Sequence, residues 1–189
     1  MHAYKVRPRK DHRAVLMQAC IIILSLGVGL IGAQRAAEGQ RMPTQGYVLG
    51  PSEGEHLIRN AGSIFIKVDP SKGSNNMALG TQQVPIGKGI AVHQHQEADE
   101  VLFVLKGTGF GILGDTRMPI EKGSAIYIPK GVWHGVENPN SDLLLLWVVA
   151  PPGLEGFFRE VASPPGAPPK QLTREQLNEI ARKHGMQLK

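Results

Sequence analysis

The 189-residue chain has one cysteine, Cys20. It lies inside an N-terminal apolar run, so the sequence downstream has no thiol. Disulfides and thiolate metal ligands are therefore excluded from any folded domain there. The absence of cysteine is compatible with an oxidising compartment but does not require one. Aromatic residues are also scarce, at 5% of the chain. No basic stripe with interleaved aromatic side chains is present, although the formal charge is +5. A basic balance often signals a nucleic-acid binder. Here five of the 21 basic residues, Lys5, Arg7, Arg9, Lys10 and Arg13, come before residue 14, against one acid, Asp11. From Gln34 onward 16 basic residues face 15 acidic ones. The excess charge belongs to the N-terminus, and nucleic acid is excluded as a partner.

Residues 14–33 carry no charge and directly follow the basic stretch. That order reads as a signal peptide or a membrane anchor. Ile31-Gly32-Ala33 offers a cleavage site, and the run is also long enough to span a bilayer. Met17-Gln18-Ala19 before Cys20 does not fit a lipoprotein signal. In either case the basic side stays inside. The domain is then exported: periplasmic or extracellular, or membrane-anchored outside the cytoplasm. Contact with a membrane is limited to residues 14–33, if they are uncleaved.

Residues 34–60 are polar and read as an arm that joins the domain through one or two strands. The pattern over 61–150 is β. Short apolar-rich runs at 63–68, 77–84, 89–95, 99–105, 109–113, 125–128, 132–137 and 143–149 alternate with turns rich in Gly, Pro and Asn. About eight short strands at this spacing predict an all-β sandwich or barrel. No helix of useful length interrupts them, which excludes a parallel α/β fold. Residues 151–189 differ. A short amphipathic helix is predicted at 154–161, followed by a Pro-rich linker at 163–169. A second helix starts at Thr173, with Gln176 completing a capping box. Leu177, Ile180, Ala181 and His184 share one face of it, and Gly185 ends it. This helix is expected to pack on the barrel or on a partner subunit.

The chemistry-bearing residues lie within the β region. His93 and His95 are two apart, so on a strand both imidazoles share a face. Glu100 returns on the next strand after a short loop. His134 follows the turn Pro129-Lys130-Gly131. Three imidazoles and one carboxylate converging inside a barrel suit a divalent transition metal, whereas an ionised carboxylate buried alone is costly. His56 and His184 read as surface and tail-helix residues. Glu97 and Asp99 read as solvated flanks, or else as partners of a ligating histidine. Trp133 and Trp147 read as packing. If Glu100 points inward, so do Leu102 and Val104, which gives an apolar lining. Phe110 and Tyr127 are candidates for the mouth. No Arg or Lys cluster near these residues offers a phosphate seat, so an aromatic or largely apolar substrate is favoured.

Spacing adds a resemblance. Gly87, His93, His95, Glu100 and Gly107 match the first cupin motif at every fixed position. Gly123, Pro129, Gly131, His134 and Asn138 match the second, after a spacer of 15 residues. The chain resembles the cupin superfamily over residues 60–150, as a single-domain member, because the motif pair occurs once. Residues 150–158 look similar to the tail of quercetinase-like small cupins. The resemblance implies a double-stranded β-helix, or jelly-roll barrel, with a C-terminal helical tail. It implies one metal per chain (Mn, Fe, Ni, Cu or Zn) held by His93, His95, Glu100 and His134. It also implies an exported metal-dependent oxidoreductase of the dioxygenase type acting on a small phenolic or enolisable substrate, with Glu100 as catalytic base. A metal-dependent isomerase, epimerase or lyase is the alternative, and so is a non-catalytic small-molecule-binding cupin. A homodimer formed through sheet edges is a further expectation. The glycines of the motifs are expected at turns with positive φ, and Asn138 as a loop bridge.

Overall fold

Alternation decides where the core lies. Along Leu143–Ala150 the residues Leu143, Leu145, Trp147 and Val149 are buried, and those between them are half-buried. This strand, β10, is central to a six-stranded antiparallel sheet. Its neighbours are β3 (Ala78–Val84) and β5 (Asp99–Lys106). Beyond them lie β2 (Gly62–Val68), β1 (Glu55–Arg59) and β8 (Ala125–Ile128), in the order β1-β2-β3-β10-β5-β8. Trp147 sits opposite Gly80 on β3. A Cβ at Gly80 would lie 2.4 Å from the indole and 2.1 Å from the Phe65 carbonyl, so only glycine leaves room for the ring.

The computed structural model describes residues 45–189. The segment read as a signal peptide or anchor, 14–33, lies outside them. Among the described residues no helix is long and apolar enough to cross a membrane. A five-stranded antiparallel sheet faces the first. It contains β4 (Lys88–His95), β6 (Thr108–Leu113), β7 (Thr116–Glu121), β9 (His134–Asn138) and β11 (Met186–Leu188). The order is β11-β4-β9-β6-β7. The two sheets form the expected jelly roll, with the apolar core between them.

The eight strands expected over 61–150 are all present, as is one in the arm, and two others join them. Strand β1 begins at Glu55, inside the segment read as an arm. Strand β7 was hidden by Pro119 and by four consecutive exposed residues, a composition tolerated only at a sheet edge. Strand β11 has three residues, too few to show a period.

The tail follows its sequence signals closely. Helix α1 spans Leu154–Val161 and α2 spans Arg174–Lys183. Thr173 and Gln176 form the reciprocal cap. Gly185 takes φ 69° and turns the chain into β11. Ala181 of α2 is fully buried, and Leu177 and Ile180 pack on the core. The Pro-rich segment also has a structural role. Ser163 exchanges two backbone hydrogen bonds with Ile58, 2.7 and 3.1 Å, and so covers part of the β1 edge.

Candidate metal centre

His93 and His95 face inward from β4, and His134 faces inward from the start of β9. A bulge aligns them. In β4, Ala91 and Val92 lie between the pairs Ile90–Val136 and His93–His134, while β9 offers only Gly135 there. The extra residue re-aims the strand and sets the His93 and His134 rings 4.1 Å apart. Glu100 comes from the other sheet, on β5 after a three-residue turn. The cluster thus lies between the sheets, with histidines on one wall and the carboxylate on the other. Its four ligand atoms all lie within 4.8 Å of one another, and all four residues are buried.

Hydrogen bonds define the tautomers. His93 Nδ1 is 2.8 Å from the Ala91 carbonyl, and His134 Nδ1 is 2.9 Å from the Val132 carbonyl. A carbonyl only accepts, so both Nδ1 atoms carry the proton. Nε2 of each ring is left facing the centre. His134 Nε2 approaches Glu100 Oε2 to 2.9 Å, and His95 Nε2 approaches the same oxygen to 3.2 Å. Burial, reinforced by the neighbouring His134, pushes the His93 pKa down to about 3. Burial alone would raise that of Glu100, but the His134 and His95 imidazoles override it and hold the carboxyl at about 2. At neutral pH His93 is therefore an uncharged donor and Glu100 an anion. These residue types are a donor set suited to a divalent transition metal.

The supporting residues are more specific than the sequence suggested. Asp99 does not touch a ligating histidine. Its Oδ1 accepts the Lys130 backbone N–H at 3.0 Å, which ties the turn before His134 to the strand that carries Glu100. Gly131 N donates to the His95 carbonyl at 2.6 Å. Gly87, Gly107, Gly123 and Gly131 all have positive φ, from 71° to 94°. Asn138 is buried, and its side-chain amide bridges the Val84 and Ser141 carbonyls. His56 stacks on Phe65 and bonds Ser63, away from the centre. His184 pairs with Glu160 on the tail.

A cavity of about 140 Å³ opens on His93, Glu100 and His134. Leu102 lines it as expected, but Phe110 and Tyr127 do not. Tyr127 is paired with Val101 on the outer face and is 60% exposed. Phe110 stacks under Arg117, with the guanidinium 3.3 Å from its ring centroid. The tail supplies the roof instead: Phe157 and Phe158 from α1, Leu177 from α2, and Met186 and Leu188 from β11. Strand β11 also pairs with the ligand strand, setting Met186 opposite His95 and Leu188 opposite His93. Besides Glu100, one charged side chain, Arg59 of β1, lines the same cavity. Its only sequence signal is its place two residues after Leu57 on an alternating strand.

The comparisons agree with the fold. The model of the cupin domain family matches residues 80–149. An uncharacterised protein of Streptomyces coelicolor is 32% identical over 77 residues, 41% of this chain and 72% of that one. An uncharacterised protein of Methanocaldococcus jannaschii is 34% identical over 70 residues; the match spans 36% of this chain and 56% of the archaeal protein. Among solved structures, the polyketide cyclase RemF from Streptomyces resistomycificus superposes with a TM-score of 0.52 at 18% identity, covering 71% of this chain and 92% of that one. That likeness concerns the fold. With motif spacing, strand order and family model in agreement, the chain belongs to the cupin superfamily and carries one cupin domain.

Proposed function

We propose that the protein is a metal-dependent oxidoreductase of the dioxygenase type, acting on a small phenolic or enolisable molecule, with His93, His95, Glu100 and His134 as metal ligands. One observation carries the reading. Three imidazoles and one carboxylate, all buried, bring their ligand atoms within 4.8 Å of one another between the two sheets. Such a convergence of nitrogen and oxygen donors would suit a divalent transition metal. A divalent transition metal there would supply a Lewis-acidic centre, redox-active for most of the candidate ions. Glu100 holds one negative charge and is the group placed to accept a substrate proton on its carboxylate. Phe157, Phe158, Leu177, Met186 and Leu188 give the cavity an apolar roof. A cavity of about 150 Å³ holds a molecule the size of benzene, and the cavity of this protein is of similar size, about 140 Å³. That size suits an aromatic ring and O₂ better than a phosphorylated sugar. Export through residues 14–33 belongs to the same proposal and would place the reaction outside the cytoplasm.

Oxygen-electrode assays of metal-loaded protein with phenolic and organic-acid substrates test the reading. Oxygen uptake that stops on metal removal is the expected result. Turnover at full rate without oxygen assigns the centre to an isomerase, epimerase or lyase. A ligand recovered unchanged after long incubation assigns it to a binding protein. Glu100→Gln is expected to keep part of the metal and lose about 10²–10⁴ in turnover, the usual range for a lost general base. His93→Ala and His134→Ala are expected to release the metal. Unchanged metal content in elemental analysis would sink the ligand assignment.

A further inference from the structure

One charged group in the cavity has no role in holding a metal. Glu55, Leu57 and Arg59 share a face of β1, opposite Ile66, Ile64 and Gly62. Leu57, Ile64 and Ile66 are core residues, so Arg59 is directed to the inner side of the sheet. Asn60 and Ala61, at φ 51° and 65°, close a two-residue hairpin of the kind that demands positive φ. This hairpin ends β1 at the cavity wall, where Asn60 and Gln82 also lie.

The guanidinium is held but not neutralised. Its Nη1 donates to the Val161 carbonyl at 3.0 Å, and its carbon lies 5.7 Å from the Phe157 ring centroid. Arg159, also set against β1, has two carboxylates, Glu55 and Asp69. Among the described residues no carboxylate pairs with Arg59, and burial alone acts on it, lowering its pKa. A half-buried cation with spare N–H donors beside a cavity is incomplete, and an anion from outside completes it. A carboxylate fits best, because its two oxygens match the planar guanidinium fork.

We propose that Arg59 is the recognition group for an anionic substituent, so that the pocket takes a small organic carboxylate with its other end toward His93, Glu100 and His134. This deepens the metal-centre reading and rests on it for the orientation of the substrate. Arg59 acts as a specificity-determining residue: it selects the charge of the molecule the centre receives.

Benzoate and its neutral isostere benzamide serve as probes. Their binding to the full chain is measured by titration calorimetry, with and without Zn²⁺, alongside elemental analysis. Wild-type protein is expected to prefer benzoate by about tenfold to a hundredfold, the worth of charge-assisted hydrogen bonds. Arg59→Met abolishes the preference in both forms. Arg59→Lys keeps part of it and guards against a folding artefact, which thermal melts also monitor. Equal affinity of wild type for the two probes overturns the proposal. So does a preference that appears only with Zn²⁺ and survives Arg59→Met, because the anion then sits on the metal. An Arg59-dependent preference in protein that takes up no Zn²⁺ supports the anion site and sinks the metal reading.

Discussion

His93 takes up a proton at about 3 in the folded chain, against 6.5 for an ordinary imidazole, and Glu100 at about 2, against 4.5. Between each pair of values the unfolded chain binds the proton and the folded chain does not. Stability therefore falls as pH falls through those intervals. Metal-free protein is expected to lose thermal stability progressively from about pH 6.5 downward. Melting curves taken from neutral pH to about pH 4 check this, and a constant Tm would contradict it. The four clustered residues were legible in the sequence because three lie within eight positions, on two strands joined by a short turn, and the fourth sits in a motif of fixed spacing. Arg59 was not legible as a pocket residue. What gives it meaning is that no carboxylate among the described residues pairs with it and that α1 arrives above it, and both depend on contacts across the fold. Tyr127 failed as a mouth residue for a related reason: its register with Val101 points it outward.

Strand β11 is the element that most changes the expected picture. It extends the sheet beside the ligand strand, with Gln94 donating to Gln187 at 2.6 Å and Lys189 N donating to the Val92 carbonyl at 3.0 Å. Met186 is 2% exposed. Truncation after Gly185 removes the buried Met186, the half-buried Leu188 and the edge pairing. The expected loss is about 2–4 kcal/mol of stability, read by denaturant unfolding, with faster amide exchange along β4. Unchanged exchange at Gln94 would show that the pairing is dispensable. The long strands were readable from alternation, as in Leu143–Ala150, and both tail helices from their caps. Strands β7 and β11 were not. Pro119 and an outward-facing polar run mask the first, and the second is defined by its partner strand.

At the scale of the whole molecule, one clamp fastens the tail to the barrel. Arg159 of α1 pairs with Glu55 on β1 and with Asp69 just after β2. Asp69 is buried, and Arg159 lies well above the ordinary arginine range because two carboxylates override the cost of its partial burial. Arg159→Met leaves Asp69 unpaired. The expected cost is about 1–3 kcal/mol, between that of an exposed ion pair and a fully buried one. A double-mutant cycle with Asp69→Asn checks it, and the two losses are expected to be less than additive. Additive losses would mean that the two residues act independently.

The pairing of β11 with β4 also sets an order of events. Gln94 and Gln187 are 93 positions apart in sequence, whereas His93, His95 and Glu100 lie within eight positions on consecutive strands. Local contacts close early and distant ones late, because a longer loop must be ordered first. Three of the four clustered side chains are thus gathered while the cavity still lacks its cover. If the centre holds a metal as proposed, that interval would give the ion an open route to its seat. Once β11 has docked, Met186 and Leu188 roof the cavity, and exchange of such an ion would slow.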